Sequence, residues 1–173
     1  LDEGSYKIIA VSNSKSGIYD EKGLDIKKVI EHNEKTDSLK GFKGAKEISN
    51  MELLELECDV LIPAALEDQI TKDNVNKVKA KIILEIANRP ITPEADFILE
   101  KNKVMVIPDI LANSGGVAVS YLEWVQNSMN YYWTSEDVTK KLKECMVKST
   151  IDVIKASKEF KCSLRDGAYM LAV

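Results

Sequence analysis

Four near-continuous apolar runs of strand length, separated by stretches with helical spacing, restrict this chain more than any other feature. They are residues 6–11 (YKIIAV), 59–64 (DVLIPA), 80–84 (AKIIL) and 104–107 (VMVI). Strands that stay apolar instead of alternating are covered on both faces. Between them, residues 21–34 carry Leu24, Ile26, Val29 and Ile30, residues 50–56 open on Asn50 as a cap, and residues 71–78 open on Thr71. Thr92-Pro93-Glu94-Ala95-Asp96 is a stronger helix start. It has a cap residue, a proline at the first helical position and then acids facing the dipole. Beyond Gly116 two long helices are expected, one to about Asn130 and one from Thr134-Ser135 with Val138, Leu142, Cys145, Met146, Ser149 and Val153 on one face. Strand and helix in alternation imply an α/β fold with a doubly wound, mostly parallel sheet of Rossmann-like type. Residues 1–112 form the sheet part and residues 113–173 the C-terminal helices of a single domain.

Such sheets usually hold a dinucleotide, whose phosphates sit on a glycine-rich turn after the first strand. No three of the eight glycines make GxGxxG. The chain instead opens with Gly4 just before its first apolar run, which is how a helix ends. The expectation is an incomplete domain whose first strand, phosphate turn and first helix precede Leu1. The strand ending at Val11 then meets the adenosine ribose at its carboxyl end, where the chain offers neutral Asn13 and Ser14 and then Lys15. Without an acid there, either NAD or NADP is tolerable.

Charge and cysteine content remove other classes. A formal charge of −4 and no basic stripe argue against nucleic acid or an anionic membrane as the partner. No apolar run approaches the ~20 residues of a membrane span. Three widely spaced cysteines with no CxxC, and a single histidine, argue against a metal site and for reduced thiols in the cytoplasm. His32 sits among Glu31, Glu34 and Lys35 and reads as solvated, not catalytic.

The blocks AVSNSKSGIYDEKGLD, GAKEI, CDVLIPAAL, ANRPITPEAD and PDILANSGGVAVSYLEWVQN, followed by YYW, resemble the C-terminal, cofactor-binding domain of the glutamate dehydrogenases in order and spacing. The resemblance covers essentially the whole chain. It implies an NAD(P)-dependent oxidative deamination of L-glutamate to 2-oxoglutarate and ammonia in a parent enzyme that is a homo-hexamer. No catalytic residue lies in this chain, since the family's lysine and aspartate belong to the other domain, and the chain alone is expected to be inactive. The resemblance places Asn13 and Ser14 at the adenosine ribose. Ala64, Ala65 and Gln69 lie along the cofactor, and Asn88 and Asn113 at the nicotinamide ribose or carboxamide. Asn113, Val117 and Ser120 face the substrate, with Ser120 donating to its side-chain carboxylate.

On this reading Asn113 ends a strand at the carboxyl edge of the sheet. Gly115 and Gly116 let the backbone approach a flat ring, and Val117 and Ser120, three apart, share a helix face. Three departures concern the third junction, Glu85-Ile86-Ala87-Asn88-Arg89-Pro90-Ile91. Ile86 and Arg89 stand where the family usually has glycine, and Ile91 where it has threonine. Arg89 either attracts a phosphate or points outward. The rival readings are a dehydrogenase for another amino acid, for which Ser120 would be apolar, and a non-catalytic nucleotide-binding module.

Overall fold

A computed structural model describes residues 6–173, so the reading of Gly4 lies outside the described residues. The described residues form two compact units, residues 6–57 with 77–79, and residues 58–76 with 80–173.

In the first unit the strand expected at residues 6–11 is short and belongs to a different sheet. Strand β1 (Ala10–Ser12) pairs antiparallel with β2 (Gly17–Tyr19), which pairs antiparallel with β3 (Lys46–Ile48). The hairpin is closed by Asn13: its N–H donates to Ser16 O at 2.9 Å, and its Oδ1 accepts from the N–H groups of Lys15 and Ser16. A side chain that imitates a turn in this way favours reversal over continuation. Helix α1 (Ile26–Thr36), capped by Asp25, starts later than the apolar spacing suggests. In α2 (Asn50–Leu54) the cap is Ser49 instead of Asn50, because Glu52 returns its carboxylate to the Ser49 N–H in a capping box. Ile18, Val29 and Leu39 are the buried centre of this unit.

The second unit contains the parallel sheet. Strands β4 (Val60–Leu61), β5 (Ile82–Leu84) and β6 (Met105–Ile107) lie in that order, all parallel. Residues 71–78 form only a 3-10 turn at Val75–Lys77. Asn74 takes the Thr71 N–H at 2.8 Å and donates to Gln69 O at 2.8 Å. Local side-chain bonds of this kind compete with a helix. Helix α3 (Pro93–Lys101) begins as expected on the Thr92 cap. Then come a short helix α4 (Asp109–Ala112), α5 (Gly115–Met129) and α6 (Ser135–Phe160), whose cap is Thr134.

A last helix, α7 (Leu164–Ala172), has no counterpart in the periodicity. Its signal is the cap: Ser163 Oγ accepts from the Asp166 N–H at 3.1 Å. It packs against α6 through Gly167, where a Cβ would meet Ser157 N at 3.1 Å and Val153 O at 3.2 Å. Leu111, Val153 and Ala168 form the buried cluster beneath it, with Ile107 and Leu164 against them. Among the described residues no helix is long and apolar enough to cross a membrane.

Candidate functional site

The carboxyl ends of the three parallel strands hold most of the expected site residues. The loop after β4 is laced to the loop after β5. The Ile86 and Ala87 N–H groups donate to Pro63 O, Asp68 N–H to Arg89 O, and Gln69 N–H to Pro90 O. Ala64 and Ala65 are exposed on the first loop. Gln69 is half-buried, and its side-chain amide donates to Glu67 O at 3.0 Å.

Asn88 and Asn113 are brought together. Asn113 Nδ2 donates to Asn88 Oδ1 at 2.7 Å and to Ile86 O at 3.2 Å. Asn113 does not end a strand, however. The backbone leaves β6 at Pro108, turns once as α4, and Asn113 is the C-cap of that turn, its N–H donating to Asp109 O at 3.1 Å. Proline cannot continue the ladder, and it favours the extended-to-helix switch seen here. Two amide groups of the pair, Asn88 Nδ2 and Asn113 Oδ1, have no hydrogen-bond partner among the described residues. One is a donor and one an acceptor.

Helix α5 follows directly. Gly115 and Gly116 are its first residues, and neither has a positive φ. A Cβ on Gly115 would touch Leu142 and Met146 at ordinary distances, and one on Gly116 would meet nothing within 4 Å. This chain therefore does not itself require glycine at 116. Val117 is exposed and lines an apolar groove with Leu142 and Met146. Ser120 is exposed one turn along, its hydroxyl donating to Gly116 O at 3.2 Å.

The departures at the third junction have structural consequences. Ile86 is partly exposed, at 40%. Arg89 has φ +46°, in the left-handed region where glycine is at ease. Its guanidinium lies 3.0 Å from Glu67 and 3.3 Å from Asp68, so its charge is matched inside the loop.

Asn13 and Ser14 belong to the first unit. Asn13 is committed to its hairpin and also donates to Asn33 Oδ1 at 3.2 Å, while Ser14 is exposed. Lys15 is ion-paired with Asp37. His32 Nε2 donates to Lys40 O at 2.9 Å, and its ring stands edge-on to Phe42. No group of three or more His, Cys, Asp or Glu residues suited to a metal occurs among the described residues.

One cluster has no counterpart in the sequence patterns. Arg165 of α7 donates from Nε to Asp96 at 2.7 Å, from Nη1 to Asp109 at 3.2 Å and from Nη2 to Glu85 at 2.9 Å. Glu85 is fully buried. Burial pushes its carboxyl above the ordinary value, against the lowering by Arg165 and by the Asp109 N–H. Burial also opposes the Arg165 charge, but the hydrogen bonds it donates to Asp96 and Glu85 outweigh it and hold the guanidinium above its ordinary value. The residues are 80, 69 and 56 positions from Arg165, so no local pattern links them.

All residues, 1–173, match the family model described as Glutamate/Leucine/Phenylalanine/Valine dehydrogenase. The NADP-specific glutamate dehydrogenase of Synechocystis sp. is 44% identical over 182 residues, covering 100% of this chain and 42% of that protein. The hetero-hexameric glutamate dehydrogenase of Thermus thermophilus, in a Leu-bound form, superposes with a TM-score of 0.86 at 32% identity, over 94% of this chain and 38% of that one. Glutamate dehydrogenase from Peptoniphilus asaccharolyticus gives 0.75 at 34% identity, over 95% and 38%. The chain thus spans about two-fifths of the length of the relatives it matches.

Proposed function

The chain belongs to the Glutamate/Leucine/Phenylalanine/Valine dehydrogenase family, and from that premise we propose that it is the NAD(P)-binding part of a glutamate dehydrogenase. The parent reaction is L-glutamate, water and NAD(P)+ to 2-oxoglutarate, ammonia and NAD(P)H. In this reading the chain belongs to a dinucleotide-binding domain of the Rossmann type, working in the cytoplasm in a hexameric parent.

The observation that carries the reading is the hydrogen-bonded Asn88–Asn113 pair, in the segments that follow the carboxyl ends of two adjacent parallel strands, β5 and β6. Ligands of open α/β sheets bind outside the carboxyl ends of the strands. The free donor and free acceptor of the pair match a carboxamide, which presents one of each. Space before Gly116 leaves room for a ring at the start of α5. The nicotinamide, when bound, supplies the acceptor for the hydride. The part of these residues is to hold it in one orientation, because alignment carries much of the rate in such transfers.

Ser120 stands on α5, one turn beyond Gly116. Its 3.2 Å bond to Gly116 O is long, and rotation about Cβ–Oγ exchanges it for a bond to a carboxylate. On this reading the substrate's side-chain carboxylate goes to Ser120, its methylenes to Val117 and its reacting end to Asn113. Asn13, Ser14, Ala64, Ala65 and Gln69 are assigned to the rest of the cofactor, as NAD or NADP.

The test is glutamate-dependent reduction of NAD+ and NADP+ by the full-length protein, with leucine, valine and phenylalanine as competing substrates. Reduction with glutamate alone supports the reading; turnover of an apolar amino acid and not of glutamate rejects it. Titrating NADH and NADPH into the 173-residue chain, followed by nucleotide fluorescence, reads the cofactor half separately. The chain alone is expected to bind without turnover.

A further inference from the structure

The Arg165 cluster does more than fasten α7. We propose that Arg165 is a positioning residue that holds the two junctions carrying Asn88 and Asn113 in register; this rests on the reading of those asparagines as the nicotinamide site.

The bonds form a continuous path. Arg165 Nη2 meets Glu85 Oε1 at 2.9 Å, and Glu85 Oε2 accepts the Asp109 N–H at 2.7 Å. Arg165 Nη1 meets Asp109 Oδ1 at 3.2 Å, and Asp109 Oδ2 accepts the Arg89 N–H at 2.8 Å. Two of the three arms therefore end on backbone N–H groups at the exits of β6 and β5. Asn88 directly precedes Arg89, and Asn113 caps the turn that Asp109 begins. The third arm, to Asp96, goes to the first turn of α3 and away from both junctions.

Docking of α7 does not account for this arrangement. The close approach at Gly167 and the buried contacts of Ala168 already seat the helix. An ion cluster whose central carboxylate, Glu85, is fully buried is a poor source of stability, because desolvation of that group offsets much of the Coulombic gain. Here three carboxylates face one guanidinium, an excess of negative charge that packing alone would avoid. What the cluster does supply is direction. The planar fork of arginine holds its three acceptors in fixed directions, whereas the three donors of a lysine rotate and impose no such plane. Each ångström by which the junctions shift moves the asparagine pair, and a misplacement of ~1 Å in a hydride-transfer site costs on the order of 100-fold in rate.

The experiment compares Arg165→Lys with Asp96→Asn in the full-length enzyme, measuring kcat, KM for glutamate and the Kd of ADP-ribose, which lacks the nicotinamide. For Arg165→Lys the expected result is a fall in kcat of about 100-fold with ADP-ribose affinity retained. Asp96→Asn is expected to lower the thermal midpoint and leave kcat in place. Loss of kcat and ADP-ribose binding in step, or equal losses in both variants, would mean a merely structural cluster and overturns the proposal. If Arg165→Lys does not fold, Glu85→Gln is read by the same comparison. If the wild-type protein proves inactive on glutamate, the functional reading has failed. The positioning role is then decided by the crystal structure of Arg165→Lys, where an intact Asn88–Asn113 bond overturns it.

Discussion

The Arg89 N–H donates to Asp109 Oδ2 at 2.8 Å from a backbone held at φ +46°, so a non-glycine residue is kept in a left-handed turn by an acid on the neighbouring strand's exit. Three effects compete when Arg89 becomes glycine. Relief of the left-handed conformation gains ~1–2 kcal/mol. Greater freedom of the unfolded chain costs about 0.4–1 kcal/mol, and the exposed ion pairs to Glu67 and Asp68 contribute about 0–1 kcal/mol. Arg89→Gly should therefore lie within about 1.5 kcal/mol of the wild type in urea unfolding. Arg89→Ala keeps the strain and loses the pairs, so it should be the less stable of the two. An Arg89→Gly chain several kcal/mol weaker would assign the loop's ion pairs a larger share than exposed pairs usually have.

Ser120 tests the substrate assignment. A hydrogen bond to a charged group contributes about 1.5–3 kcal/mol. Ser120→Ala in the full-length enzyme should then raise KM for glutamate by at least about tenfold. Stability should hardly change, because the hydroxyl is exposed and bonded only to its own helix. An unchanged KM would remove Ser120 from the pocket.

How far the sequence discloses this molecule depends on the range of the forces involved. The caps at Thr92 and Thr134 and the apolar runs behind β4, β5 and β6 are local, and the structure has them where the residues imply. Residues 6–11 are different. Their apolar character is compatible with either sheet, and the reversal is set by the Asn13 side chain, which pattern reading takes for an ordinary loop residue. The family resemblance puts Asn113 at a strand end, but the proline before Asp109 inserts a turn. The Arg165 cluster was invisible because its four members come from separate elements and each alone resembles a surface charge. Only the full burial of Glu85 sets it apart.

That burial has a pH signature. Arg165 and the Asp109 N–H bond the Glu85 carboxyl, the Asp109 carboxylate repels it, and desolvation is the largest influence, so its folded pKa is raised. A carboxyl raised on folding contributes stability that is fully present below its unfolded value and is lost as pH rises through the folded value. Glu85→Gln keeps one of the two acceptors and does not titrate. The wild-type chain should thus lose stability relative to Glu85→Gln as pH is raised from 4.5, the ordinary glutamate value, through the raised one. Paired urea titrations at several pH values measure this difference while the other carboxylates cancel. A difference that grows in favour of the wild type with pH would show that Arg165, and not burial, governs the group.

The α6–α7 contact offers the sharpest structural prediction. A Cβ at Gly167 would lie 3.2 Å from Val153 O and 3.1 Å from Ser157 N, both backbone atoms of a 26-residue helix. Neither can swing aside as a side-chain tip would, so α7 must lift. Overpacking of this kind costs about 1–3 kcal/mol, more than the helix propensity that alanine gains over glycine, ~1 kcal/mol. Gly167→Ala should therefore destabilise the chain, by up to about 2 kcal/mol net. Arg165 lies two residues away on the same helix, so lifting α7 also draws the guanidinium from Glu85 and Asp109. In the full-length enzyme the variant should lose kcat beyond what its thermal midpoint explains, and Gly167→Ser should do so at least as strongly. A Gly167→Ala chain as stable as the wild type would mean that α6 and α7 separate without resistance, and the seat assigned to Arg165 would lose its rigidity.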